Sequence, residues 1–528
     1  MNRSKAEASD RSKDAGADFL QLDTADAPPG GLTEWLARRL RGAVADGRLP
    51  AGSRLPASRV LAAELGVSRG VVTDAYRRLA EEGQVVGRGR GGTVVVAAAA
   101  ATQEAPVPAP PGPAPALFRD DPHPEVFELL RAAPARIDLT PGVPDLAAFP
   151  RAAWLRAERA VLDGLAAADL GYGDVRGTPA LRRAVAHWLA RNRGLRADPD
   201  EVLVVAGTAQ ALALLGRALG RAGIDEVAVE DPGSVGARQH LAHWIAATPP
   251  VPVDAEGVRV DALRATGAPA VLLTPAHQYP TGVVLGGDRR RELLRWAGEG
   301  GLVIEDDYDA EHRYDRPPVP ALRAALPERV CYAGSVSKLL APALRTGWLL
   351  VPARLRDAVL EAKRFADLGS PVLPQLVLAR LMESGELDRH LRLLRRRHRR
   401  RRDAMITAIR THLPGATVHG AAAGLHLMLT LPEGAVRSDT ELAAAALAEG
   451  VKVQPLSWHA RLPYPPGLVL GYAAGSVSEI AEGLAVLGRL VRRPTPAAVG
   501  PGPDGGRVVG ASDESGAKGS VPSARGVR

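Results

Sequence analysis

Residues 334–348 read GSVSKLLAPALRTGW and come directly after a short apolar run at 330–332. Ser335 and Ser337 can donate hydrogen bonds to phosphate oxygens, and Arg345 can bind a phosphate through two parallel hydrogen bonds. Lys338 presents a primary amine among them. Lysine is scarce in this chain, and the other two lysines of this region, Lys363 and Lys452, lack such neighbours. The segment therefore predicts a strand followed by a loop that combines an amine with phosphate-binding groups.

Outward from this segment, short apolar runs alternate with longer Leu/Ala-rich helical patterns between residues 135 and 492. The runs lie at 202–205, 227–229, 270–273, 302–304, 330–332 and 348–351. Continuously apolar strands that alternate with helices are typical of a mostly parallel sheet covered by helices on both faces. The pattern predicts an α/β domain.

Two more of these runs end in polar groups. The sequence LVIEDDY (302–308) places Asp306 and Tyr308 at the carboxyl end of a strand, where ligands bind in open α/β sheets. The sequence VVAGTAQ (204–210) leads from a strand through Gly207 into a helix. The free amides and the dipole at the start of such a helix favour a phosphate.

The chemistry of pyridoxal 5′-phosphate (PLP) gives these groups one common explanation. PLP needs an amine for a Schiff base, an anion opposite its ring nitrogen, a donor at its 3′ oxygen, and hydroxyls, amides and a guanidinium around its phosphate. Each motif alone is weak, because a single Lys after Ser-x-Ser is usually a surface residue and an EDD sequence is more often a solvated loop or a metal site. The ordered set predicts a PLP site.

A different pattern occupies residues 31–97. Thr33 can cap a helix with Leu36, Leu40 and Val44 on one face, and Gly47 can end it. A second short helix at 58–65 follows Pro56, and Ser68 caps a third after a three-residue turn. Two short helices joined by a glycine-containing turn predict a helix-turn-helix, whose second helix enters the major groove of DNA.

The third helix keeps one side polar and is followed by a hairpin. Its outward residues are Arg69, Gly70, Thr73 and Arg77, and the glycine-rich hairpin carries Arg88 and Arg90, as a DNA-contacting wing would. Residues 31–96 hold 11 Arg and 6 Asp+Glu, a net charge of +5 out of +8 for the chain. A small helical bundle with a solvated basic face is the alternative interpretation.

Residues 47–95, GRLPAGSRLPASRVLAAELGVSRGVVTDAYRRLAEEGQVVGRGRGGTVV, resemble the winged-helix domain of the GntR family. The resemblance implies that Arg59, Ser68, Arg69, Thr73 and the wing contact double-stranded DNA. Ala57 stands where the family often has Ser.

Five segments between 171 and 348 resemble, in order and spacing, the fold-type I (aspartate aminotransferase-like) PLP enzymes, and still more closely the aminotransferase-like domain of MocR/GabR-type regulators. They are GYGDVRGTPALRRAV, VAGTAQAL, TPAHQYPTG, EDDYDAEHRYD and GSVSKLLAPALRTGW. The resemblance implies that Lys338 forms the internal aldimine, that Asp306 faces the pyridine nitrogen and that Tyr308 bonds the 3′ oxygen. It also implies a homodimer, a small C-terminal subdomain, a ring-side position for Tyr279, and a phosphate site made by Ala209, Gln210, Ser335, Ser337 and Arg345.

Two departures from that pattern bear on function. Ser234 replaces the Tyr that commonly stacks on the cofactor, and Val469 occupies the place of the Arg that binds the substrate carboxylate; Arg461 and Arg238 are candidate replacements. These losses favour a regulator that senses PLP or an amino compound without net turnover and binds operator half-sites. A working PLP-dependent aminotransferase with a DNA-binding domain is the alternative, and a DNA-binding module with an empty large domain is a third.

The 528 residues are expected to form a disordered arm (1–30), a winged helix (31–97), a Pro/Ala-rich flexible linker (98–134), the PLP domain (135–492) and a disordered tail (493–528).

The single cysteine, Cys331, excludes an intramolecular disulfide and a cysteine-based zinc site, and no metal site is expected. No apolar run reaches membrane-helix length and no signal peptide is visible, so a cytoplasmic protein is expected. For the basic run at 395–402, a solvated helix face is favoured over a second DNA contact.

Overall fold

The computed structural model describes residues 22–45, 48–89, 92–96, 117–314, 319–436 and 438–492. Contacts divide the chain into two units, Met1–Pro115 and Ala116–Arg528. The first unit consists of three helices and a hairpin: α1 (Leu32–Ala45), α2 (Ser58–Glu64), α3 (Arg69–Glu81), β1 (Val85–Gly87) and β2 (Thr93–Val95). The predicted tail at 493–528 lies outside the described residues.

The helix-turn-helix forms because the apolar positions of α3 all meet one core. Val72, Ala75, Tyr76 and Leu79 are buried, and the Ser68 hydroxyl accepts a hydrogen bond from the Val71 amide and so caps the helix. Thr33, in contrast, lies inside α1 and does not cap it. Residues 22–30, which were expected to belong to a disordered arm, are folded here, since Leu22 and Ala27 pack against the same core.

The second unit alternates strands and helices along most of its length. Its helices are α4 (Val126–Ala132), α5 (Arg151–Leu162), α6 (Pro179–Arg193), α7 (Thr208–Arg221), α8 (Val235–Ala242), α9 (Val260–Thr266), α10 (Gly287–Gly298), α11 (Ala353–Asp367), α12 (Val372–Glu383), α13 (Glu386–His412), α14 (Asp439–Ala448) and α15 (Val477–Arg492). Its strands are β3 (Ile137–Asp138), β4 (Leu203–Val205), β5 (Val227–Asp231), β6 (Pro250–Asp254), β7 (Gly257–Val258), β8 (Ala270–Leu273), β9 (Leu302–Asp307), β10 (Val330–Ser335), β11 (Gly347–Leu350), β12 (Thr417–His419), β13 (His426–Thr430), β14 (Val451–Lys452), β15 (Gln454–Pro455) and β16 (Gly467–Gly471).

An eight-stranded sheet in the order β4-β11-β10-β9-β8-β5-β6-β7 is the centre of this unit. Neighbours from β10 to β6 pair in parallel, whereas β11 and β7 pair antiparallel to their neighbours. Helices cover both faces, with α7 and α11 on one and α6 and α12 on the other. The parallel strands bring the carboxyl ends of β8, β9 and β10 to one edge, as the apolar runs predicted.

A smaller subdomain follows in the chain. Its antiparallel sheet has the order β12-β13-β16-β15 and packs against α13, α14 and α15, while β14 pairs in parallel with β3. It corresponds to the expected C-terminal subdomain, and β3 ties the start of the second unit into it.

The structure differs from the expected linker between residues 117 and 134. This segment carries α4, and Val126 and Leu130 are buried with Trp458. Its apolar residues match the helical spacing, and they find their partners more than 300 residues away in the sequence, at Trp458. Only residues 98–116 of the expected linker remain, and they lie outside the described residues.

The basic run at 395–402 lies on α13 and is only partly solvated. Arg396, Arg399 and Arg400 are exposed, whereas His398 is fully buried and its ring lies 5.0 Å from that of His312. Within the described ranges, the structure contains no helix with the length and apolar character that crossing a membrane requires.

Candidate functional site

A cavity of about 720 Å³ opens at the carboxyl edge of the large sheet. A volume of this size suits a cofactor together with a small ligand. Eight of the nine residues predicted for the cofactor line it: Ala209, Tyr279, Asp306, Tyr308, Ser335, Ser337, Lys338 and Arg345. They lie at or after the ends of four different strands, and the fold brings them together in one cavity.

Lys338 lies in the turn that follows β10, and its Nζ donates a hydrogen bond to the carbonyl oxygen of Gly142. Burial lowers the pKa of the Lys338 ammonium, while the carboxylates of Asp309 and Asp306 raise it. The net lowering increases the fraction of neutral amine, which is the form that attacks a carbonyl carbon. Gly142 has a φ of +88°, and a Cβ there would lie 3.4 Å from Lys338 Nζ.

Asp306 is a buried residue near the carboxyl end of β9, directly before Asp307. Burial, helped by the neighbouring charge of Asp307, raises its pKa to about 7, although a hydrogen bond from Thr208 (3.4 Å) and the charge of Lys338 act in the opposite direction. A cation placed opposite this group would restore the carboxylate. The site therefore fits a protonated ring nitrogen.

The phosphate side of the cavity is built from a helix start, two hydroxyls and a guanidinium. Gly207 has a φ of +90°, and a Cβ there would lie 3.5 Å from Nη1 of Arg345. Helix α7 starts one residue later. The amide of Ala211 is the first that donates within the helix, to the carbonyl of Gly207, so the amides before it point out of the first turn. The hydroxyls of Ser335 and Ser337 lie 2.9 Å apart. This donor set fits a phosphate group.

Gln210 is the ninth residue that was predicted to bind the cofactor, and it does not line the cavity. Its Oε1 accepts hydrogen bonds from the Ala206 amide (2.8 Å) and from Lys363 Nζ (3.2 Å), and its Nε2 donates to Asp367 (2.8 Å). The physical reason is Lys363, whose buried ammonium needs acceptors. The Gln210 side chain therefore turns away from the cavity, and the predicted phosphate contact of this residue falls to its backbone amide in the first turn of α7.

A histidine that the sequence analysis did not single out supports Tyr308. The side chain of His277 is buried, and its Nδ1 lies 3.0 Å from the Tyr308 hydroxyl and 3.0 Å from Asp309 Oδ2. His277 belongs to the segment TPAHQYPTG, but its spacing from Tyr308 gives no local signal. Tyr279 stands edge-on to Tyr308, with ring centroids 6.1 Å apart.

His277, Asp309 and His426 bring their donor atoms within 4.8 Å of one another. Each is hydrogen-bonded within the protein, His277 to Asp309 and His426 through Nε2 to the carbonyl of Pro280 (3.1 Å). These bonds give Asp309 and one nitrogen of each histidine a partner within the protein, while Nε2 of His277 is buried with no partner among the described residues.

Of the two departures from the aminotransferase pattern, Ser234 lies in the cavity wall and Val469 does not. Ser234 lines the cavity and caps α8 by accepting a hydrogen bond from the Ala237 amide (3.2 Å). Val469 is buried against Met428 and Leu456. Neither suggested replacement for a carboxylate-binding Arg lies in the cavity wall, since Arg238 donates to the Trp458 carbonyl and Arg461 to the Thr248 carbonyl.

Helix α4 supplies cavity residues that the sequence analysis placed in a linker. Phe127, Leu130 and Arg131 line the same cavity as Lys338. The sequence signal was the apolar spacing of 117–134, which is uncharacteristic of a Pro/Ala-rich spacer.

In the first unit, the residues predicted to contact DNA lie on exposed surface. Arg59, Ser68, Arg69, Gly70, Thr73, Arg77 and Arg88 are all exposed, and Arg90 lies outside the described residues. They differ in their partners: Arg77 forms ion pairs with Asp74 and Glu81, whereas the Arg69 guanidinium donates a 3.3 Å hydrogen bond to the Ser58 hydroxyl and has no carboxylate partner within the described part of the chain.

Comparison with known proteins agrees with both units. Residues 32–95 match the bacterial regulatory proteins of the gntR family, and residues 136–487 match aminotransferase class I and II. The chain is 32% identical over 474 residues to the probable rhizopine catabolism regulatory protein MocR of Rhizobium meliloti, covering 88% of this chain and 94% of that protein. It is 34% identical over 409 residues to the pyridoxine biosynthesis regulator PdxR of Corynebacterium glutamicum, covering 76% and 83%.

Among solved structures, the multiple substrate aminotransferase of Thermococcus profundus is similar with a TM-score of 0.63 and 29% identity, over 70% of this chain and 94% of that one. The α-aminoadipate aminotransferase LysN of Thermus thermophilus is similar with a TM-score of 0.62 and 29% identity, over 69% and 94%. The chain therefore belongs to the MocR-type transcriptional regulators, which join a GntR-type helix-turn-helix domain to an aminotransferase class I and II domain.

Proposed function

We propose that this regulator binds PLP in the cavity of its second unit, senses PLP or an amino compound there, and binds operator DNA through its first unit. The observation that carries the proposal is the meeting of Lys338, Asp306 and Arg345 in one cavity, Asp306 from the end of β9 and the other two from the segment between β10 and β11. Such a protein acts where the DNA is, so we place it in the cytoplasm.

PLP supplies an aldehyde that condenses with primary amines and a ring that withdraws electrons from the resulting bond. Lys338 provides the amine, and Asp306 holds a proton on the ring nitrogen opposite it. Tyr308 donates to the 3′ oxygen, with His277 fixing its hydroxyl. The first turn of α7, the two serines and Arg345 bind the phosphate.

Regulation without turnover is favoured over catalysis by the two departures. Ser234 cannot stack on a ring, and Val469, which stands in the sequence where aminotransferases often carry a carboxylate-binding Arg, supplies no charge and is buried against Met428 and Leu456. The named functions of MocR and PdxR support the same choice. A PLP-dependent aminotransferase remains the second candidate, because the retained cofactor residues serve both functions.

A homodimer is supported by an exposed apolar patch beside the cavity-bearing sheet. Its members are Leu170 (65% exposed), Tyr172 (98%), Phe365 (74%) and Leu368 (60%). The two segments meet, since a Cβ at Gly369 would lie 3.5 Å from Val175 and one at Gly173 would lie 3.5 Å from Val372. Apolar groups exposed to this extent in one place mark an interface. Two copies would also supply the two recognition helices that paired half-sites need.

Borohydride reduction of the PLP-loaded chain, followed by peptide mapping, tests the proposal. The cofactor is expected on Lys338, and Lys338→Ala is expected to remove both the label and the visible absorbance. Lys363→Ala serves as the control, because Lys363 lies outside the cavity wall. A label elsewhere, or none, would contradict the proposal. Sustained turnover with a panel of amino acids would instead favour the aminotransferase.

A further inference from the structure

We propose that Arg131 of α4 binds the carboxylate of an amino-acid effector, and that this contact reports the ligand to the segment leading to the DNA-binding unit. The inference rests on the proposed function and adds two points to it. It gives the effector a chemical class, a primary amine with a carboxylate, and it names the element that responds.

Helix α4 forms part of the cavity wall. Phe127, Leu130 and Arg131 line the same space as Lys338 and Ser234. Phe127 also approaches the start of α8, where a Cβ at Gly236 would lie 3.4 Å from its ring. A ligand that extends beyond the cofactor towards α8 therefore meets α4.

The cavity holds few cationic side chains. Among the described residues, the Arg and Lys side chains that line the cavity are Lys338, Arg345 and Arg131. The proposed function commits Lys338 to the aldehyde and Arg345 to the phosphate. The lining histidines are disfavoured as cations, because burial lowers their pKa values; they are His240, His426 and His459. Arg131 is left as the guanidinium for an additional anion.

Arg131 is free to change its partner. It pairs with Glu128 at 2.8 Å, but both side chains are about two-thirds exposed, at 66% and 64%. Exposed pairs of this kind are weak, and a carboxylate held in a cavity by two parallel hydrogen bonds competes well against them. Val469, at the sequence position where the resemblance places the carboxylate-binding Arg, is buried in apolar contacts and supplies no charge, so a carboxylate needs another guanidinium.

Helix α4 is attached through Trp458. Trp458 stacks on Phe118 at 5.6 Å and meets Phe127 edge-on at 6.5 Å, and its Nε1 donates to the Arg119 carbonyl (2.9 Å). The next residue, His459, lines the cavity. The segment 117–134 is therefore held by the same subdomain that closes the ligand site.

The segment 117–134 is also where the second unit begins along the chain, next to residues 97–116 and the DNA-binding unit. A ligand that binds Arg131 favours the docked state of α4 by its differential affinity for that state. Binding of an amino acid thus increases the fraction of the protein in which α4 is packed against Trp458.

With PLP held by Lys338, the amine of the ligand would replace Lys338 Nζ on the aldehyde carbon of the cofactor, and Lys338 would be released as a free amine. This exchange would need no oxidant or reductant, and it would change the absorbance of the bound cofactor. The affinities of amines with and without a carboxylate can therefore be measured by the same absorbance change.

The experiment titrates the PLP-loaded full chain with L-alanine, 3-aminopropanoate and 5-aminopentanoate. Each is paired with the alkylamine that remains when its carboxylate is removed, ethylamine for the first two and butylamine for the third. We expect at least one amino acid to bind about tenfold or more tightly than its amine, as a charge-assisted pair provides. Arg131→Gln is expected to reduce the ratio of amino-acid affinity to amine affinity to about one.

Arg136→Gln is the matched control, since Arg136 is 57% exposed on the same unit, pairs with Glu482 and does not line the cavity. Hydrogen exchange of the amides at 126–132 provides the second measurement. It should slow with the preferred amino acid in the wild type and in Arg136→Gln, and should not slow in Arg131→Gln.

Equal binding of amino acids and amines by the wild type, or an unchanged preference or unchanged slowing of exchange in Arg131→Gln, would overturn the role of Arg131. Failure of the proposed function looks different, because no amine would then alter the absorbance and borohydride would not label Lys338.

Discussion

The hydroxyl of Tyr308 lies 3.0 Å from Nδ1 of His277, and the same nitrogen lies 3.0 Å from Oδ2 of Asp309. A carboxylate so close to Nδ1 requires a proton on that nitrogen, because two lone pairs would otherwise face each other. The His277 N–H is then shared between Asp309 and the Tyr308 oxygen. Tyr308 accepts this bond, and its own hydrogen remains available for a ligand in the cavity.

We therefore expect His277→Leu to weaken PLP binding by a factor of about 2 to 10, the value of one neutral hydrogen bond. Fluorescence or absorbance titration with PLP measures it. In a Tyr308→Phe background the same substitution should have little further effect, because the hydroxyl that it orients is already gone. Full additivity of the two losses would show that His277 acts independently of Tyr308.

The DNA-binding surface allows a test based on ion pairing. Arg77 is engaged by Asp74 and Glu81, whereas Arg69 has no carboxylate partner among the described residues. Arg69→Ala should therefore reduce the slope of log affinity against log salt by about 1, as loss of one phosphate contact does. Arg77→Ala should change that slope less.

A duplex selected from a random pool by the wild-type protein is the probe, and its affinity is measured at several salt concentrations. Equal slopes for the two variants would contradict the assignment of Arg69. Loss of binding by Arg77→Ala alone would indicate that α3 lies differently on the groove.

The sequence was most informative where the determinants are local. The cap at Ser68, the apolar face of α3 and the strands at β8, β9 and β10 follow from short-range patterns. The order of the PLP motifs also located Lys338, Asp306 and Arg345, because parallel strands end at one edge of a sheet.

Local sequence patterns do not specify contacts between distant segments. Gln210 turns towards Lys363, which lies 153 residues away, and α4 docks on Trp458, which no local pattern connects to it. His277 is part of a quoted motif, yet its role depends on Asp309 across the site. Such partners are set by tertiary packing, which the apolar spacing of either segment alone does not specify.

The exposed patch predicts an obligatory dimer contact. We expect Leu170→Glu and Phe365→Glu to shift the protein to monomer, since each places a charge in an apolar surface that a second copy would cover. Sedimentation velocity at several concentrations measures the change. Leu462→Glu, at a 39% exposed position of the second unit that does not belong to the patch, is the control. Monomers in the wild type, or equal effects of all three substitutions, would place the interface elsewhere.

The buried His398 predicts how stability depends on pH. Its two ring nitrogens have no hydrogen-bond partner among the described residues, and burial lowers its pKa from 6.5 to about 2. Below pH 6.5 the unfolded chain takes up a proton there that the folded chain does not, so stability falls as the pH falls and is unaffected above that value.

His398→Leu should remove the contribution of this group to the pH dependence. At pH 7.5 we expect unchanged or slightly greater stability, because an unpaired polar group is replaced by an apolar one of similar size. At pH 5 the variant should exceed the wild type by about 2 kcal/mol, which is 1.5 pH units at about 1.4 kcal/mol each. Urea unfolding at the two pH values gives the difference, and His187→Leu, at an exposed position of α6, controls for the loss of an imidazole. A difference that is the same at both pH values would mean that His398 is protonated, or finds a partner, in the folded protein.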